Sequence, residues 1–209
     1  MGALQAKGLG MSAAATRLQI VEAADRLFYE QGFEATAFAD IATAIALSRG
    51  NFYYHFKTKG EILDAVIALR LDRTRALLAG WQDEAETPRE RILSFVGMLI
   101  GNRAKIMLYG CPVGTLCAEL AKLDHAALGR ASEIFTLFRA WLAEQFAALG
   151  RASDADALAM HLLMHSQGVA TLAAAFRDET FIRREVEQMS LWLDAESTAA
   201  LPPSTSPAS

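Results

Sequence analysis

Apolar residues recur along this chain at intervals of three and four, the spacing that gathers them on one face of an α-helix. The first series, Ile20, Val21, Ala24, Leu27 and Phe28, starts after Thr16 as N-cap and stops at Gln31-Gly32, where glycine suits the C-cap. Phe38, Ile41, Ala42 and Ile45 predict a short helix over 36–45 with Thr36 as its cap. Ala46-Leu47 is the turn after it. Ser48 caps the next short helix, its hydroxyl accepting from the amide of Gly50 or Asn51, and Phe52 and Phe56, four apart, face inward. A long helix then runs from Thr58 through Ile62, Leu63, Val66, Ile67, Leu69 and Leu77 to about Trp81.

Beyond it, Thr87-Pro88-Arg89-Glu90 has the form of a capping box with proline at the first helical position, followed by Ile92, Phe95, Val96 and Leu99. The Gly- and Pro-rich run 110–114 opens a short helix through Leu116 and Leu120. Another starts near Asp124 and carries Leu128, Phe135, Phe138, Trp141, Leu142, Phe146 and Leu149 up to Gly150. In the last two helices, Leu158, Leu162, His165, Val169, Leu172 and Phe176 form one stripe and Ile182, Val186, Met189 and Leu193 another, a rhythm that suits close helix packing at a seam. They are capped by Ser153 or Asp154 and by Asp178. The pattern predicts an all-α chain organised as a flexible arm at 1–15, a three-helix head at 16–60, a helical body at 61–195 and a disordered tail at 196–209.

The chemistry concentrates in residues 48–59. Once Phe52 and Phe56 are turned inward, Arg49, Asn51, Tyr53, Tyr54 and His55 remain on the outer side, with Lys57 and Lys59 behind them. Residues 41–60 hold no Asp or Glu, so the patch is positive and implies an anionic partner. Two short helices across so tight a turn form a helix-turn-helix, whose second helix offers its N-terminal residues to base edges in the major groove. Arg49 can pair with guanine O6 and N7 and Asn51 with adenine N6 and N7, while Gly50 lets the backbone come close. Tyr54, His55 and Lys59 suit phosphate. The DNA-facing set is completed by Thr36, Ser48, Tyr53 and Lys57.

The run from Phe52 to Lys59, preceded by Asp40-Ile41-Ala42 and Ser48, resembles the DNA-binding signature of the tetracycline-repressor (TetR) family of bacterial regulators, over residues from about Thr16 to Leu63. Two positions depart from the family pattern: Ala46 stands where the turn glycine is common, and Ala37 where a capping Ser or Thr is usual. A positive φ at Ala46 would cost roughly 1 kcal/mol. The resemblance implies a ligand-binding and dimerisation body, a connecting helix that transmits ligand binding to the head, and a last helix pair that builds a four-helix bundle with a second subunit. It also implies a homodimer on a palindromic double-stranded operator, released when a small apolar or aromatic inducer binds.

Composition sharpens this. The chain has 209 residues, 53% of them hydrophobic, five prolines and a net charge of −4, which fits a small local positive surface on an acidic body better than indiscriminate coating of nucleic acid. Two cysteines make no disulfide framework, no apolar run reaches the roughly 18 residues of a membrane span, and no leader precedes the first helix, so a cytoplasmic protein without membrane attachment is expected. Candidate inducer contacts are Cys111, Phe135, Phe138, Trp141, His161, Met164 and His165. An electrophile or redox sensor switched at Cys111, placed at a helix N-terminus, is the alternative. His161 and His165 have metal-binding spacing but lack a completing carboxylate, and no nucleophile, base and orienter come together, so neither metal, cofactor nor enzyme activity is expected.

Overall fold

The computed structural model describes residues 12–199, and among these every regular element is helical. Two compact units divide within one long helix, Met1–Leu69 and Arg70–Ser209.

In the first unit, α1 (Ala13–Gln31) begins earlier than its apolar pattern suggests, because Ser12 is the cap: its hydroxyl accepts from the Ala15 amide at 3.2 Å. Thr16, expected as the cap, is instead a buried first-turn residue whose hydroxyl donates to the Ser12 carbonyl. The expected arm therefore ends sooner, and residues 1–11 lie outside the described residues. Gly32 ends α1 at φ 94°, as its position predicts. The next helix, α2 (Phe38–Ala44), is capped differently from expectation. Thr36 is fully buried and donates its hydroxyl to the Gly32 carbonyl at 2.7 Å, so it neither caps α2 nor faces DNA. The Asp40 carboxylate takes over by accepting from the Ala37 amide at 2.7 Å.

Between α2 and α3 (Arg49–His55), Ala46 has φ 53°. A Cβ in that region is strained by about 1–2 kcal/mol. Ala46→Gly is therefore expected to stabilise the head by roughly 0.5–1 kcal/mol after allowing for the greater freedom of glycine in the unfolded chain. Chemical denaturation followed by circular dichroism checks this, and a midpoint that does not rise would contradict it. Ser48 caps α3 through a 3.4 Å contact from the Asn51 amide, and Phe52 and Phe56 are both about 1% exposed. They share a core with Ile20, Leu27, Ile41, Ile62, Leu63 and Val66. The long helix α4 (Lys59–Glu84) starts at a capping pair in which Thr58 Oγ1 accepts from the Glu61 amide and the Glu61 carboxylate accepts from the Lys57 amide.

In the second unit, α5 (Pro88–Gly101) opens with the predicted capping box: Glu90 accepts from the Thr87 amide at 2.9 Å and Thr87 Oγ1 accepts from the Glu90 amide at 3.2 Å. The first of these bonds chiefly holds the Glu90 carboxyl below its usual range. A break at Asn102, whose carboxamide donates to the Met98 carbonyl, then starts a helix the periodicity does not reveal, α6 (Arg103–Tyr109). Helix α7 (Pro112–Lys122) follows Gly110 at φ 77°. Asp124 at φ 49° is part of the turn, so α8 (Leu128–Phe146) begins four residues later than expected. A wider stretch, Ala147–Arg151, with Gly150 at φ 90°, leads to α9 (Ala155–Phe176) and α10 (Glu179–Ala199).

Ion pairs join α10 to three other segments: Arg89 to Asp194 at 2.6 Å, Arg103 to Glu179 at 2.9 Å, and Arg151 to Glu196. The last of these, with the Ser197 and Thr198 hydroxyls bonded back to Leu193 and Asp194, continues the helix where a disordered tail was expected from residue 196. The rest of that tail, 200–209, lies outside the described residues. The body core is Ile92, Phe95, Leu120, Ile134, Leu142, Phe146, Leu162 and Ile182, all essentially inaccessible. Among the described residues, no single helix is long and apolar enough to cross a membrane.

Candidate nucleic-acid interface

The outer side of α3 is built as its spacing requires. Ser48 fixes the helix start, Phe52 and Phe56 fix its roll, and Arg49, Gly50, Asn51, Tyr53 and Tyr54 are left exposed, with His55 half-buried. Tyr54 is 72% exposed and Tyr53 47%. A Cβ on Gly50 would meet nothing within 4 Å, so its backbone is open to close approach from outside. Among the described residues the Arg49 guanidinium and the Asn51 carboxamide make no hydrogen bond or ion pair, and both can turn to a partner without breaking a contact.

The two lysines behave differently. Lys57 donates its ammonium to the Tyr53 carbonyl, while Lys59 donates to the Glu34 carbonyl at 2.9 Å and lies 4.5 Å above the Phe33 ring. Lys59 thus ties the start of α4 to the segment before α2. The nearby carboxylates of Asp40 and Glu61 are each bonded to a backbone amide. Arg17, on α1, stacks its guanidinium 4.5 Å over Phe56. Beside Arg49 an open cleft of about 250 Å³ separates the start of α2 from α3, lined by Ala37, Phe38, Ala39, Phe52 and Tyr53.

Comparison with known proteins decides the family. Residues 20–66 match the model of bacterial regulatory proteins of the tetR family. An uncharacterized HTH-type transcriptional regulator from the lacX 3′ region of Lactococcus lactis is 32% identical over 136 residues, covering 64% of this chain and 69% of that protein. The chain belongs to the TetR family. The HTH-type transcriptional repressor DhaR of a Mycobacterium species is 25% identical over 136 residues, 63% of this chain and 64% of its own. A TetR transcriptional regulator from Legionella pneumophila has the same fold, with a TM-score of 0.74, 25% identity and coverage of 90% of this chain and 98% of that one. The protein is thus a TetR-family helix-turn-helix transcriptional regulator, a class that is in general not enzymatic.

The inducer contacts expected in the body do not assemble as one site. Phe138 and Trp141 are buried against two residues not expected there: the half-buried Trp81 lies 5.6 Å from Trp141, and the buried Phe95 lies 5.6 Å from Phe138. Phe135, on the same helix, is half-buried. Gln145, one turn beyond Trp141, was also missed. It is 4% exposed, its Nε2 donates to Gln82, and its Oε1 is buried without a partner among the described residues. No sequence pattern marks it, since a lone Gln in an apolar helix reads as surface.

His161, His165 and Met164 lie elsewhere on α9. The His161 ring packs 4.9 Å from Trp192, His165 pairs with Glu185 at 3.3 Å, and Met164 is 60% exposed, which places it on an outer surface and not in a cavity wall. Cys111 caps α7, its Sγ accepting from the Gly114 amide at 3.4 Å. The Cys117 thiol is pushed up, chiefly by burial and then by Cys111.

Proposed function

We propose that this TetR-family regulator is a homodimeric repressor that binds a palindromic operator and leaves it when a small apolar or aromatic molecule enters its body. The unengaged donors of Arg49 and Asn51, exposed on a helix fixed by Ser48 and Phe52, carry the reading of base edges. Of the stripes expected at the seam, Leu162, Val169, Ile182, Met189 and Leu193 are buried within the single chain, whereas exposed Met160, Met164, Leu172 and Phe176 on α9 and Leu191 on α10 support a dimer seam, because so much apolar surface on one helix pair marks an association site. The buried Phe138 and Trp141, the half-buried Trp81 beside them and the unpartnered Gln145 oxygen support an aromatic inducer. Release then follows from differential affinity: two recognition helices must be about 34–36 Å apart to enter successive major grooves, and a ligand favouring another spacing weakens binding.

Selection of random duplex DNA at fixed salt tests this. The expected product is a palindrome with half-sites about one helical turn apart, whereas recovery of no sequence would overturn the reading. On that operator Arg49→Ala and Asn51→Ala are each expected to cost about 1–3 kcal/mol and to relax preference at one base pair per half-site. Tyr54→Ala should weaken all sequences alike. Equal, sequence-independent losses for all three variants would refute the division.

A further inference from the structure

We propose that the cleft beside Arg49 reads a thymine methyl group next to the base that Arg49 contacts. The inference rests on the DNA-reading role given to α3 and names what that helix selects. Ala37, Phe38 and Ala39 line the cleft from the α2 side, Phe52 and Tyr53 from the α3 side, and Arg49 is the single charged residue along it. Its aromatic wall is fixed in place: the Tyr53 ring lies 5.6 Å from Phe38, which in turn meets the buried Phe52 edge-on at 5.3 Å. Tyr53 nevertheless remains 47% exposed, so this wall faces the solvent from which DNA would arrive.

A largely apolar recess on a DNA-reading face suits an apolar feature of DNA. In the major groove that feature is the thymine C5-methyl, while the other groups on the base edges are hydrogen-bond donors and acceptors. Position agrees. Arg49 and Tyr53 lie just over one helical turn apart on one side of α3, about 6 Å along its axis, between one and two base steps of roughly 3.4 Å. A guanidinium on guanine O6 and N7 therefore brings the methyl of a neighbouring thymine to the Tyr53–Phe38 wall. The expected element is a guanine with an adjacent thymine in each half-site.

The test is uracil scanning of the selected operator, which removes one methyl at a time and changes no hydrogen-bonding group. One thymine per half-site, adjacent to the base pair at which Arg49→Ala relaxes preference, should lose about fourfold in affinity when replaced by uracil. Replacing it in both half-sites should lose roughly 15-fold. Tyr53→Ala should bind more weakly and no longer distinguish thymine from uracil there, whereas Asn51→Ala should bind more weakly and keep the full distinction. An operator bound tightly with uracil neutral at every position would overturn this inference alone, as would a uracil penalty that survives Tyr53→Ala. Absence of any sequence preference would overturn the DNA-reading role together with it.

Discussion

Phe52→Ala should open the DNA-reading head while leaving the body folded. Phe52 is 1% exposed and meets Phe38 edge-on, and truncating a phenylalanine in such a site costs about 3–5 kcal/mol. A small unit with limited buried surface has little stability to set against that loss. Amide hydrogen exchange in α1–α3 is expected to quicken by roughly two to four orders of magnitude. Exchange in α8 and α9, whose cores are separate, should hardly change. Operator binding should vanish with the head, since the roll of α3 depends on this side chain. Protection of the head equal to that of the wild type would show that Phe52 does not anchor the recognition helix.

Phe176→Asp and Met164→Asp, each made alone, should separate the dimer. The two side chains are 70% and 60% exposed in the single chain, so neither substitution disturbs the core. At a two-fold interface each change occurs twice, and an unpaired carboxylate enclosed there costs about 3–5 kcal/mol. Sedimentation velocity should show the dissociation constant raised by roughly ten-thousandfold or more. Affinity for a two-half-site operator should fall with it, because each free subunit then holds one half-site. Either variant remaining a dimer at low micromolar concentration would mean that the seam lies on another face.

The head was legible because each of its features is local. Ser48 and Gly32 act through residues within four positions of themselves, Phe52 and Phe56 are marked as inward by their own four-residue spacing, and the structure places all four accordingly. What escaped there was a side chain's choice among several possible partners. Thr36 was assigned to a cap and to DNA, but its hydroxyl goes to Gly32 and its side chain into the core. The bond from the Lys59 ammonium to the Glu34 carbonyl, 25 residues earlier, was likewise not visible in the sequence. In the body most helices were visible, but not the break at Asn102, where a lone Gly101 inside an apolar series is a weak signal and the Asn102 side chain bonds within its own turn. Nor could periodicity separate Phe138 and Trp141, which face Trp81 and Phe95, from Met164, which faces outward, since all are apolar residues at helical spacing.

The ties of Lys57 and Lys59 to backbone carbonyls also bear on how DNA meets this surface. A lysine side chain free in solvent loses on the order of 1.5–2 kcal/mol of rotamer freedom when a phosphate fixes it. Here both ammonium groups are already held, one on Tyr53 and one on Glu34, and a bound carbonyl leaves their positive charge intact. Most of that ordering is completed when the head folds. An operator bound as proposed would therefore meet charges at set positions, and geometric mismatch with a wrong site would be less easily absorbed by a lysine swinging to find another phosphate.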